Sequence, residues 1–158
     1  MSSEPRWFTL EMVEALHALV LAKHGGGRGV RDARRLESAL FRPRNLHTYG
    51  RASLPQMAAA YAAGVIEGHP FVDGNKRTGL ALAIAFLEFN GLRFRGTEVE
   101  AVVFTLGLAA GEVSEKAYAQ WLSSNIEEPK VEEPRLKRRR KSTKSAGKQS
   151  KPAKHRRR

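Results

Sequence analysis

His69-Pro70-Phe71-Val72-Asp73-Gly74-Asn75-Lys76-Arg77-Thr78-Gly79-Leu80 gathers an imidazole, a carboxylate, a carboxamide, two cations and two glycines into twelve residues. The apolar run Leu80-Ala81-Leu82-Ala83-Ile84-Ala85-Phe86-Leu87-Glu88-Phe89 follows at once. That run reads as a buried helix stopped by Asn90-Gly91, with Gly91 as its left-handed cap. A loop therefore feeds a helix N-terminus. Unpaired backbone N–H groups and the positive end of the helix dipole favour an anion at such a terminus. Gly74 lets the backbone approach closely, and Lys76 and Arg77 bring two cations to the same place. Asp73 is an anion beside an anion site, a conflict that a bridging metal ion resolves. His69 has the only side chain here whose ordinary pKa suits proton abstraction near neutrality. Base, metal carboxylate and phosphate cradle together point to transfer of a phosphate-containing group.

Upstream, Ser53 with Pro55 starts a helix through Met57, Ala60, Tyr61, Gly64 and Val65, and its many small residues suit close packing against the 80–89 helix. Thr9 caps a first helix to about Lys23, with Leu10, Val13, Leu16 or His17, and Val20 on one face. The break Gly25-Gly26-Gly27 is followed by no Gly-Lys-Ser/Thr, so it lacks the mark of a phosphate loop. Asp32 caps a short second helix to about Leu40, and residues 41–51 are expected to be a loop punctuated by Pro43 and Gly50. Downstream, Leu92 to Arg95 suits one short strand, and Thr97 with Glu100 forms a capping box for a helix to about Ala110. Gly111 ends that helix, and Ser114 caps another to about Asn125, with Ala117, Trp121 and Leu122 facing inward. No stretch sustains a period of two. The expected fold is an all-α bundle around the central 80–89 helix. His17 reads as a structural hydrogen-bonder, and Tyr61, Phe86, Phe89 and Trp121 read as core.

At 158 residues the chain has enough length for one cored domain. Without cysteine it can hold neither a disulfide nor a thiolate zinc site. The start, Met1 to Arg6, lacks the apolar segment of a signal peptide, and the 80–89 run is too short to span a bilayer. A soluble cytoplasmic protein with no membrane partner is expected. Of 28 Lys and Arg, 14 fall in residues 130–158, so the remainder balances its charges and the net +12 belongs to the tail. The expected division is a globular domain over 1–126 and a disordered polybasic tail over 127–158. Lys137, Arg138, Arg139, Arg140 and Lys141 form its densest cluster, which attracts nucleic acid by counterion release without sequence preference.

The stretch His69-Pro70-Phe71-Val72-Asp73-Gly74-Asn75-Lys76-Arg77 resembles the motif of the Fic/Doc (Fido) family, His-Pro-Phe-x-(Asp/Glu)-Gly-Asn-Gly-Arg. Lys76 in place of the second motif glycine, and Leu80 where many Fic proteins carry a second arginine, look like the Doc branch, the death-on-curing toxins. The early helix with His17, the Gly26 to Asp32 loop, Phe89-Asn90-Gly91 and Ala110-Gly111-Glu112 extend the resemblance over roughly 7–126.

The resemblance implies a Fido-type helical bundle in which His69 is the general base for a target hydroxyl and Asp73 holds Mg²⁺. Gly74, Asn75 and Lys76 would line the anion hole, Arg77 would grip a nucleotide phosphate, and a buried Phe71 would hold the loop to the core. It implies a toxin-type protein kinase using ATP and Mg²⁺, with a threonine of elongation factor Tu as target. The lysine at 76 is associated with a nucleotide pose that presents the γ-phosphate. The alternatives are AMP transfer from the same site, or an idle Fido module that binds nucleic acid through the tail. The family's inhibitory motif, Ser/Thr-x-x-x-Glu-(Gly/Asn), is unmatched, since Ser123 to Glu127 has the spacing but Glu128 follows. Inhibition in trans by a small, Phd-like antitoxin is therefore expected.

Overall fold

The computed structural model describes residues 3–129, so the basic cluster from Lys137 to Lys141 lies outside the described residues. Six helices are present among them: α1 (Leu10–His24), α2 (Ala33–Gly50), α3 (Leu54–Gly68), α4 (Asn75–Phe89), α5 (Glu98–Ala110) and α6 (Glu115–Ser124). Five of these begin where a short polar side chain turns back on its own backbone. Thr9, Asp32, Ser53, Thr97 and Ser114 accept N–H groups of Met12, Arg35, Gln56, Glu100 and Ala117 in turn. The sixth, α4, starts at Gly74 with no side-chain cap. One antiparallel strand pair, β1 (Arg93–Phe94) with β2 (Ile126–Glu127), closes the far end, and an Arg95–Glu127 ion pair lies beside it. The protein is all-α in class, as expected.

The core sits on α3, whose residues 57–63 are buried and which packs against α4, α2 and α6. Small residues set these approaches. A Cβ on Gly64 would fall 2.9 Å from Ala39 Cβ of α2, and one on Gly79 of α4 would fall 2.6 Å from Ile66 Cγ1 of α3. At one end Phe8, Tyr61 and Phe86 form an aromatic cluster, and the Tyr61 hydroxyl accepts the Phe8 N–H. At the other, Trp121 meets Phe94, Phe104 and Tyr118.

Several expectations are corrected. The bundle centres on α3, with α4 against it and partly exposed. Of the loop expected over 41–51, residues 41–50 are helix: α2 runs through Pro43, which costs one backbone bond but is itself buried. Arg42 beside it pairs with Glu115 of α6, a tie that the local sequence does not announce. The central helix begins at Asn75 rather than Leu80. Thr97 caps α5, but the Glu100 carboxylate accepts Trp121 Nε1–H at 3.4 Å; the complete capping box is Ser53 with Gln56. Phe89 lies at the rim, stacked on Phe8 and covered by Arg6. Ala117 is half-buried, and Tyr118 and Ala119 take the interior beside Trp121 and Leu122. The strand pairing places Glu127 with the folded residues.

Candidate active site

α3 ends on His69. Its N–H still bonds Val65 O at 3.1 Å, while a φ of 48° puts it in the left-handed region that side chains seldom enter. Two arginines near the start of α2 hold that turn. Arg35 Nη1 donates to Gly68 O at 3.0 Å, and Arg31 Nε donates to His69 O at 3.1 Å. The imidazole itself is exposed. Strained backbone pinned by its surroundings is a recurrent mark of a functional position.

The glycine-rich segment before α2 clasps the motif loop from behind. Pro70 O accepts the N–H groups of Arg31 and Asp32 at 2.7 and 3.0 Å, and Val72 N–H donates to Gly29 O at 3.0 Å. Val30 and Phe71 form an isolated antiparallel bridge. Phe71 is buried, as its expected structural role requires, with its ring 3.8 Å from that of His17 at an interplanar angle of 9°. His17 Nε2 also lies 2.9 Å from Asp73 O. The structural part foreseen for His17 is thus located.

Asp73 is exposed, and each of its oxygens accepts one backbone N–H: Oδ2 that of Gly27 at 3.2 Å, Oδ1 that of Gly74 at 2.8 Å. These two bonds, aided by the charges of Arg77 and His17, outweigh partial desolvation and hold the carboxyl below its ordinary 3.8. The depressed value has a definite sign. Asp73 contributes stability that is present above the unfolded pKa and lost as pH falls through the lower folded one. A carbon-detected titration of the Asp73 carboxyl should therefore give a midpoint below 3.8, and Gly27→Pro, which removes the first donor, should raise it. The glycine run explains this geometry. A Cβ on Gly26 would fall 2.9 Å from Asp73 Oδ2. Gly26 and Gly27 of the three-glycine run mark a close backbone approach to a carboxylate, a role the sequence reading missed.

Asn75 has a bracing role that the sequence reading did not foresee. Its carboxamide is occupied twice by the loop, Oδ1 accepting Phe71 N–H and Nδ2 donating to Phe71 O, both at 3.0 Å. Its side chain braces the loop, and its backbone N–H and the second Nδ2 hydrogen remain for an anion. Gly74 has a φ of 76°, and the first bond of α4 runs from Thr78 N to Gly74 O at 2.9 Å. The N–H groups of Asn75, Lys76 and Arg77 precede that bond, so they lack partners within the helix. Lys76 and Arg77 are exposed in this first turn, where the dipole opposes a cation unless an anion is bound.

Among the described residues no three His, Cys, Asp or Glu side chains gather into a metal cage. One outward carboxylate does fit a hard divalent cation held mainly by ligand oxygens. A cavity of about 580 Å³ lies behind the loop, lined by Glu14, Leu21, Gly26 and Arg28 with His17 and Phe71. The structure thus joins an exposed imidazole, an ionised carboxylate and an uncapped helix N-terminus along one braced loop.

A family model described as Fic/DOC family matches residues 7–87. The "Protein kinase doc" of Escherichia phage P1 is 33% identical over 118 residues, which cover 74% of this chain and 93% of that protein. The "Toxin Doc" of Mycolicibacterium smegmatis is 40% identical over 72 residues, 44% of this chain and 55% of that protein. The family match takes in His17, the glycine-rich segment and the whole motif loop. On these grounds the chain belongs to the Fic/DOC family, on its Doc branch.

Proposed function

We propose that this protein is a Doc-type toxin that transfers the γ-phosphate of ATP to a Ser or Thr hydroxyl of a protein target, elongation factor Tu being the target that the resemblance implies. The observation that carries the reading is the uncapped N-terminus of α4 beside the exposed His69 and the ionised Asp73. In this reading His69 takes the proton of the target hydroxyl as its oxygen bonds to the γ-phosphorus, the bond to the bridging oxygen breaks, and ADP leaves. Asp73 holds Mg²⁺, which when bound neutralises charge on the phosphates. Backbone N–H groups of Asn75, Lys76 and Arg77 receive phosphate oxygens, close to Gly74, and the Lys76 and Arg77 side chains add positive charge. Positioning decides which phosphorus lies in line with the attacking oxygen. Lys76 in place of a motif glycine supports presentation of the γ-phosphate over AMP transfer.

A small antitoxin acting in trans supplies inhibition in this reading. The nearest internal match to the family's inhibitory motif supports this: Ser123 lies in the last turn of α6, and Glu127 belongs to β2 and pairs with Arg95. That segment is no inhibitory helix. Residues up to Glu127 act as the enzyme domain, and the basic segment beyond adds non-specific attraction to nucleic acid. No helix among the described residues is long and apolar enough to cross a membrane. Intact-mass analysis of elongation factor Tu after incubation with this protein, ATP and Mg²⁺ tests the reading. A phosphate-sized gain is expected; an AMP-sized gain would assign nucleotidyl transfer, and no gain would remove this target.

A further inference from the structure

We infer that His17 is a positioning residue that sets the Asp73 carboxylate for its cation, an inference that rests on the phosphotransfer reading above. His17 is 5% exposed on α1, and 56 residues separate it from Asp73. A carbonyl oxygen can only accept, so the 2.9 Å contact with Asp73 O requires a proton on His17 Nε2. Protonation of the ring would add a proton at Nδ1 and leave this donor in place.

The carbonyl that His17 holds shares a peptide unit with Gly74 N–H. That unit is planar, so fixing its oxygen fixes the direction of its hydrogen. The hydrogen points to Asp73 Oδ1 at 2.8 Å. Gly74 itself is left-handed, a conformation free to pivot when nothing restrains it. His17 therefore orients the carboxylate through one rigid plane, while its ring, parallel to Phe71, fixes the loop two residues earlier. A histidine that only filled space would need the stack and the burial, but not the donor.

The test separates donor from bulk. His17→Leu keeps an apolar side chain without a donor, and His17→Gln places an amide N–H near the Nε2 position. Three readings are taken on the full chain: thermal unfolding, hydrogen exchange at Gly74 N–H without ligand, and calorimetric binding of a non-hydrolysable ATP analogue at several Mg²⁺ concentrations. His17→Leu is expected to unfold cooperatively, to exchange Gly74 faster, and to need about tenfold more Mg²⁺ for half-maximal binding. Metal-free nucleotide affinity should stay unchanged. His17→Gln should recover most of the Mg²⁺ requirement and of the Gly74 protection. Equal behaviour of the Leu and Gln variants, or an unshifted Leu variant, overturns the inference. If the unmodified protein binds no magnesium–nucleotide, the phosphotransfer reading fails instead, and Gly74 exchange still decides whether His17 holds the plane.

Discussion

In the phosphotransfer proposed above, replacing His69 should lower the rate by about 10²- to 10⁴-fold, the range a general base contributes, while the protein stays folded. The imidazole is exposed, so its loss opens no cavity in the core. The backbone is the complication. His69 sits at a φ of 48°, where alanine is strained and asparagine is better tolerated. His69→Asn is therefore the sharper variant, and His69→Ala the companion that reports backbone strain as a lower melting temperature. Both should lose transfer of radiolabelled phosphate to the same extent, although their stabilities differ. Activity of His69→Asn within a few-fold of the unmodified protein would assign proton removal to another group.

The second large effect lies in the core. Gly79→Val should destabilise the fold by about 1–3 kcal/mol, the usual cost of overpacking. A Cβ there would lie 2.6 Å from Ile66 Cγ1 and 3.1 Å from Ala62 O. The isoleucine can shift by rotation, but the carbonyl belongs to α3 and moves only with that helix. Valine adds branches with one favoured rotamer in a helix, and its higher helix propensity returns only a fraction of the loss. Denaturant titration should show a lower midpoint with an unchanged slope. Gly50→Ala is the control, because a Cβ at Gly50 meets nothing within 4 Å.

What could be read from the sequence was what the chain decides over a few residues. Thr9, Ser53, Thr97 and Ser114 cap backbone groups three residues on, so their helix starts are written locally. The His69–Arg77 run likewise carries its chemistry in consecutive side chains. What escaped depends on distant partners. Pro43 remains helical because it is buried, and Glu100 turns from its cap toward Trp121, 21 residues away. The resemblance implies Asn75 for the anion hole, and only the path of the loop shows that its carboxamide also closes on Phe71. The carboxylate's setting was equally hidden, since its donors are Gly27, 46 residues back, and a peptide plane steered from α1.

The clasp behind the motif loop has an evolutionary consequence. Pro70 and Val72 are held by main-chain atoms of Gly29, Arg31 and Asp32, and such bonds are blind to side-chain identity. Arg28 and Val30 in the same segment are exposed. Mutation there can reshape what the rim of the site recognises without moving His69 or Asp73. The glycines, Gly26 above all, are closed to drift, as are Arg31, whose side chain holds His69 O, and Asp32, which caps α2. Side chains of this segment can thus vary while the reacting groups stay fixed.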